Sequence, residues 1–133
     1  MRNNRVIRWY EPSKYHNRKV VIDGIVFDSR KEANRYRELK LTEKAGEISD
    51  LRLQVKYELI PAQYEMGTRI RGNHVSTVER CVERAVNYYA DFVYRDKMTE
   101  ETVVEDAKGV KTEAYKIKKK LMLWVHGIKI REV

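Results

Sequence analysis

The chain has 133 residues, enough to bury one core and about the size of one ordinary domain. Its 28 Lys and Arg against 20 Asp and Glu leave a formal charge of +8, which suits a polyanionic partner such as nucleic acid or an anionic membrane surface. A single cysteine, Cys81, excludes an intramolecular disulfide; no run approaches the roughly 18 apolar residues of a membrane span, and the first residues hold no apolar signal-peptide centre, so a soluble, cytoplasmic protein is expected.

Residues 1–18 mix Arg, Asn, Tyr and Pro without a period and read as a basic arm; residues 19–133 read as one domain. In "KVVIDGIVFDS" two β-rich runs flank Asp23-Gly24, a dipeptide that takes the positive φ angles of a tight hairpin turn. The spacing then predicts a helix over "SRKEANRYRELKLTEKAG". Ser29 serves as its N-cap, Glu32 follows as in a capping box, and Gly46 ends it.

From Leu51 to Ile60 the sequence alternates, which predicts a strand with Leu51, Leu53, Val55, Tyr57 and Leu59 on one face and Arg52, Gln54, Lys56 and Glu58 on the other. Pro61 ends it. Residues 62–84, with Gly67 and Gly72 among charged neighbours, read as either a long hairpin connection or a mobile loop. Two further strands, "AVNYYADFVY" and "TVVEDAK", are expected to pair as a meander. Thr112 then caps a second helix, "EAYKIKKKLMLWVH", with Ala114, Ile117, Leu121 and Trp124 as its apolar stripe and Gly127 at its end. The last run, "IKIREV", reads as a strand added to the sheet. No internal repeat or low-complexity segment interrupts this order.

Strand alternation puts Val104, Asp106 and Lys108 on one face and Val103, Glu105 and Ala107 on the other. Asp106 is therefore the partner of Lys108. Glu105 reads as an outward-facing acid unless a bulge exchanges the two. Asp91, set among aromatic and aliphatic residues of the preceding strand, can face Asp106 across the meander, and two close carboxylates do not both ionise without a neutralising cation. Mg²⁺ fits, because it takes oxygen ligands, one or two of them protein carboxylates, and completes its octahedron with water and phosphate oxygens. Such a site would support phosphodiester hydrolysis, with Lys108 orienting water or holding charge on the phosphorane.

These residues, Asp91 and then Asp106-Ala107-Lys108 between a Glu-bearing helix and a Lys-rich one, resemble the PD-(D/E)XK nuclease superfamily. More narrowly, "IDGIVFDSRKEANRYRELKLTEKAGEI", "ADFVY" and "VVEDAKGVKTEAYKIKKKLM" look like a small phage and prophage family of uncharacterised nucleases. Ala90 departs from the superfamily pattern, which has Pro before the first Asp. The resemblance implies an α/β, restriction-endonuclease-like αβββαβ core with a mixed central sheet flanked by helices, here preceded by the hairpin. It implies Asp91 and Asp106 as metal ligands, Lys108 as the catalytic lysine and Glu32 as a further acid, although the capping box alone also explains Glu32. The cofactor would be Mg²⁺, with Mn²⁺ as a substitute. Branched DNA such as Holliday junctions would be the substrate, in phage recombination or replication within the host cytoplasm, and the two-fold symmetry of a junction would call for a homodimer.

Lys111, Lys116, Lys118, Lys119 and Lys120 are candidate phosphate contacts, as are Arg69 and Arg71, with Arg2, Arg5 and Arg8 of the arm. A solvated lysine face is the plain alternative. Scattered histidines (His16, His74 and His126) and one cysteine give no zinc pattern, and no Gly-rich phosphate loop points to a nucleotide cofactor. Two rival functions remain: a nuclease of DNA ends or single strands, and a noncatalytic DNA-binding or host-takeover protein that keeps a nuclease fold.

Overall fold

A computed structural model describes residues 18–133; Arg2, Arg5, Arg8 and the rest of residues 1–17 lie outside the described residues. Strands β1 (Val20–Ile22) and β2 (Ile25–Phe27) form the expected hairpin, turned by Asp23 and Gly24 at φ 52° and 75°. The hairpin is anchored from below, where Tyr36 donates to the Asp23 carboxylate at 3.1 Å and its ring packs 5.0 Å from that of Phe27.

Helix α1 (Arg30–Lys44) starts where Ser29 Oγ accepts from the Glu32 amide at 3.1 Å. It stops at Gly46, whose φ of 81° lets Gly46 and Glu47 donate back to the carbonyls of Glu43 and Thr42. Its buried residues Ala33, Tyr36 and Leu39 repeat at helical spacing and face the central sheet.

That sheet has the order β3-β6-β7-β8, built from Ile48–Ile60, Val86–Asp96, Thr102–Asp106 and Arg131–Glu132. The first three strands are antiparallel neighbours, and β8 joins β7 in parallel after the crossover through α2 (Glu113–His126), so the sheet is mixed. Phe92 and Tyr94 pack towards α1, while Val93 and Val104 pack towards Tyr115 and Met122 of α2. The result is an α/β fold with a helix on each side of the sheet.

Two expectations are corrected. The alternating residues of β3 do not share one face throughout: Leu51 and Leu53 pack with the α1 cluster, and Val55, Tyr57 and Leu59 with the α2 cluster. The exchange occurs at Gln54, whose φ of 51° breaks strand alternation, and β6 changes face beside it, between Ala90 and Phe92. Asp91 sits at that change. Residues 62–84 are not a mobile loop but the long hairpin connection between the antiparallel β3 and β6, and they form a two-stranded ribbon of their own, β4 (Gln63–Arg71) and β5 (His74–Glu83).

The second correction concerns α2. Tyr115 and Met122 are its buried residues and Leu121 is partly buried, whereas Ile117 is 57% and Trp124 87% exposed. The helix is turned by about one residue from the expected stripe, because Tyr115 and Met122, seven positions apart, fill the sheet-facing side. The expected caps do form, with Thr112 Oγ1 accepting from the Tyr115 amide at 3.1 Å and Gly127 at φ 67°. The last strand is shorter than expected, only Arg131–Glu132.

Candidate active site

Three chain features meet at one end of the sheet: the start of α1, the face change at Gln54 and Asp91, and the end of β7 at Asp106. They surround a cleft of about 660 Å³ whose far wall is the segment from Ala107 to Lys118; Glu32, Gln54, Asp91 and Lys108 line it, whereas the fully buried Asp106 is not part of its lining. The β6–β7 register pairs Phe92 with Glu105, so one residue further on Asp91 lies across from Asp106.

Asp91 is nearly buried, and both of its oxygens are engaged. Oδ2 accepts from the Ala107 amide at 2.8 Å, which ties the end of β7 to β6; Oδ1 accepts from the Gln54 amide group at 3.1 Å. The same Gln54 nitrogen donates to Glu32 Oε1 at 3.3 Å. One neutral donor thus bridges two carboxylates. Glu32 therefore directs its side chain into the cleft, and the Ser29 cap uses only its backbone amide.

Asp106 is fully buried. Tyr88 donates to its Oδ2 at 2.6 Å, while Oδ1 has no hydrogen-bond partner and faces Lys108 Nζ at 3.4 Å. The Lys108 ammonium also lies 5.5 Å from the centre of the Tyr115 ring. Alternation across β7 is borne out, with Asp106 on the Lys108 side and Glu105 opposite.

Glu105 itself corrects an expectation: it is not outward-facing but completely buried. Arg35 of α1 grips it through Nε and Nη2 at 2.8 and 2.7 Å, Tyr94 donates its hydroxyl, and Arg131 stands 4.0 Å away. This pair has a structural role on the side of β7 opposite Asp106.

The electrostatics match a crowded anionic cleft. Burial first, then the charges of Asp91 and Asp28, push the Glu32 carboxyl from 4.5 up to about 7, against the pull of Lys108. The Asp106 carboxyl is also raised, mainly by burial; the Tyr88 hydrogen bond opposes this, Asp91 adds to it and Lys108 offsets it. Burial raises the hydroxyls of Tyr88 and Tyr115 far above their ordinary value, so both stay protonated and serve only as donors or packing surfaces.

Among the described residues no three or more His, Cys, Asp or Glu side chains form a ready-made metal cage. Magnesium does not require one, since one or two carboxylates plus water and phosphate oxygens suffice. The donors here are all hard oxygens, and a buried carboxylate oxygen that lacks a hydrogen bond among the described residues, with a second buried acid across from it, suits such a cation. Asp106 and Asp91, with Glu32 nearby, are the residues that could hold it.

The predicted phosphate contacts are scattered. Lys111 and Lys119 both pair with Glu132, and Lys116 pairs with Glu113 at 3.0 Å. Lys120 is exposed, and Arg69 and Arg71 belong to the β4–β5 ribbon. None of these six lines the cleft; of the lysines expected on α2 only Lys118 does, together with Lys31 of α1. Sequence reasoning missed Lys31, and also Gln54, Tyr88 and Tyr115. A second depression, about 770 Å³, lies between the hairpin and α1, but its acids are already engaged, Asp23 by Tyr36 and Glu43 by Lys40.

Fold and site together define an α/β protein with an acid-and-lysine cleft at the end of its central sheet. The chain belongs to the family described as Protein of unknown function (DUF1064), which matches residues 12–129. That description carries no activity. No curated protein and no solved structure matches the chain.

Proposed function

We propose that this chain is a metal-dependent DNA endonuclease with a restriction-endonuclease-like core, a member of the PD-(D/E)XK superfamily that its motif resembles. The observation that carries the reading is the convergence of Glu32, Asp91 and Lys108 on one cleft, with the buried Asp106 paired to Lys108 through Oδ1, an oxygen that lacks a hydrogen bond among the described residues. The order of α1, β3, β6, β7, α2 and β8 supports it, as this is the αβββαβ succession with a ribbon inserted.

A bound Mg²⁺, or Mn²⁺ in its place, would supply a water of lowered pKa and would neutralise charge on the scissile phosphate. Asp106 and Asp91 would hold the ion, Asp106 through Oδ1, the oxygen that Tyr88 does not engage and that faces Lys108. Tyr88 keeps the other Asp106 oxygen fixed, and the Ala107 amide does the same for Asp91. Lys108 directs its ammonium to the same oxygen and can orient the attacking water or stabilise charge on the phosphate. Glu32, with its carboxyl raised to about 7, is suited to exchange a proton with water near neutral pH. The substrate we infer is branched DNA, such as a four-way junction in phage recombination or replication, and the site of action the host cytoplasm.

The test is to incubate wild type and Asp106→Ala with four-way junction, flap, linear duplex and single-stranded DNA, in Mg²⁺, Mn²⁺ or EDTA. Wild type is expected to cut junctions in either metal, and the variant and the EDTA samples to leave them whole. Absence of cleavage on every substrate would make the chain a noncatalytic DNA-binding protein. Equal cutting of linear, single-stranded and branched DNA would replace the junction substrate with ends or single strands.

A further inference from the structure

The β4–β5 ribbon has two unlike faces. Opposed residues in an antiparallel pair share a face, and the register pairs Tyr64 with Cys81, Met66 with Glu79, Thr68 with Thr77 and Ile70 with Val75. The intervening positions pair Glu65 with Arg80, Gly67 with Val78, Arg69 with Ser76 and Arg71 with His74. One face is therefore mainly apolar and the other basic. Tyr64, Met66, Ile70 and Val75 are 57%, 68%, 70% and 62% exposed, a density of bare apolar side chains that an isolated chain has no reason to display.

The ribbon gains little cover from its own domain. Among the described residues β4 and β5 make extensive contacts only with each other, and a lone two-stranded hairpin is marginal in water. The closest approach to packing is on the basic face, where Arg80 lies over Gly67 and donates to the Thr68 carbonyl at 3.3 Å.

We propose that the apolar face of this ribbon binds the same face of a second copy of this chain, as a two-fold ribbon pair. Nine residues make the face about 30 Å long. Its exposed side chains offer about 500 Å² per copy, so pairing removes about 1,000 Å² from water, the lower limit of a specific interface. Charge supports a second copy over other partners. At a net +8, two copies repel one another, yet face-to-face pairing turns Arg69, Arg71 and Arg80 outward and brings together faces whose register positions hold one charged residue, Glu79. A membrane-seated ribbon would instead need its basic residues around the rim of the apolar face, where they reach lipid headgroups. The two-fold axis falls near Thr68 and Thr77, the midpoint of the apolar face, so that Tyr64 and Met66 of one copy meet the Ile70 and Val75 end of the other.

The experiment is sedimentation of the full chain without DNA or metal, over a wide concentration range, so its result does not depend on the nuclease reading. Wild type is expected to reach the mass of two chains. Met66→Glu with Ile70→Glu is expected to hold the mass of one and to keep a cooperative thermal transition, because the core is untouched, with a midpoint that no longer rises with protein concentration. Arg69→Glu, on the other face, should still dimerise. In a Cys81→Ser background, mild oxidation should link copies carrying Thr68→Cys and leave those carrying Arg69→Cys unlinked. A wild type that stays monomeric at the highest concentration, as it would if another part of the chain covered the face, overturns the proposal. So does a dimer that survives the double Glu variant.

Discussion

Tyr88 donates its hydroxyl hydrogen to Asp106 Oδ2 at 2.6 Å and leaves Oδ1 of the same buried carboxylate without a hydrogen bond. That asymmetry orients the acid. Tyr88→Phe removes the bond that favours the charged carboxylate and frees its rotation, so affinity for Mg²⁺ or Mn²⁺ should fall about 10- to 100-fold, the usual effect of losing an outer partner of a metal ligand. Calorimetric titration of the cation into wild type and variant measures it. An unchanged affinity would reduce Tyr88 to a packing residue.

Glu32 gives the metal-free protein a pH dependence of defined sign. Its carboxyl is ordinary in the unfolded chain and raised to about 7 in the folded one, chiefly by burial. The folded state therefore binds more protons between those values, and stability, fully present below the ordinary value, is lost as pH rises through about 7. Because the group is partly exposed, solvent screening limits the loss to about 1 kcal/mol. The upward shift of Asp106 has the same sign. Urea midpoints in EDTA should therefore fall between about pH 5 and pH 8. Glu32→Gln should flatten the trend, and saturating Mg²⁺ should offset it.

Arg35 and Glu105 make the opposite prediction about the other side of β7. The carboxylate has no solvent exposure, and Arg35 supplies two of its hydrogen bonds. Arg35→Ala strands a buried charge and should cost about 3–5 kcal/mol in urea unfolding. Adding Glu105→Gln to Arg35→Met should recover much of that loss, because the neutral amide still accepts from Tyr94. Cleavage by the refolded double variant should persist, since neither residue reaches the cleft.

What the sequence revealed and what it hid divide along range. Ser29, Gly46, Thr112 and Gly127 act through neighbours within one helical turn, and their caps form as local chemistry predicts. The opposite faces of Glu105 and Asp106 follow from alternation alone. The burial of Glu105 does not, because its partner Arg35 lies 70 residues away. Gln54 continues an unbroken alternating pattern, so nothing in the residue types marks the backbone reversal that carries it to Asp91 and Glu32. Of the two glycines that suggested an irregular connection, Gly72 turns the ribbon at φ 58°, but Gly67 lies within β4, where an added Cβ would stand 3.0 Å from Arg80. The rotation of α2 is hidden because Lys118 and Lys119, charged residue types, occupy half-buried positions beside Tyr115 and Met122, while the apolar Ile117 and Trp124 stay exposed.

That rotation yields the last prediction. Lys118 borders the cleft and makes no ion pair among the described residues, whereas Lys119 is held by Glu132, which also engages Lys111. A phosphate entering the cleft can take the Lys118 ammonium without displacing a carboxylate; to take Lys119 it must compete with Glu132. In an Asp106→Ala background with EDTA, which prevents cleavage, Lys118→Ala should reduce the slope of log affinity against log salt by about 0.9, one phosphate contact on duplex arms. Lys119→Ala should change the slope by less. Fluorescence anisotropy of a labelled junction across a salt series distinguishes them, and equal slopes for the two variants would place the phosphate path on the outer surface of α2 instead of inside the cleft.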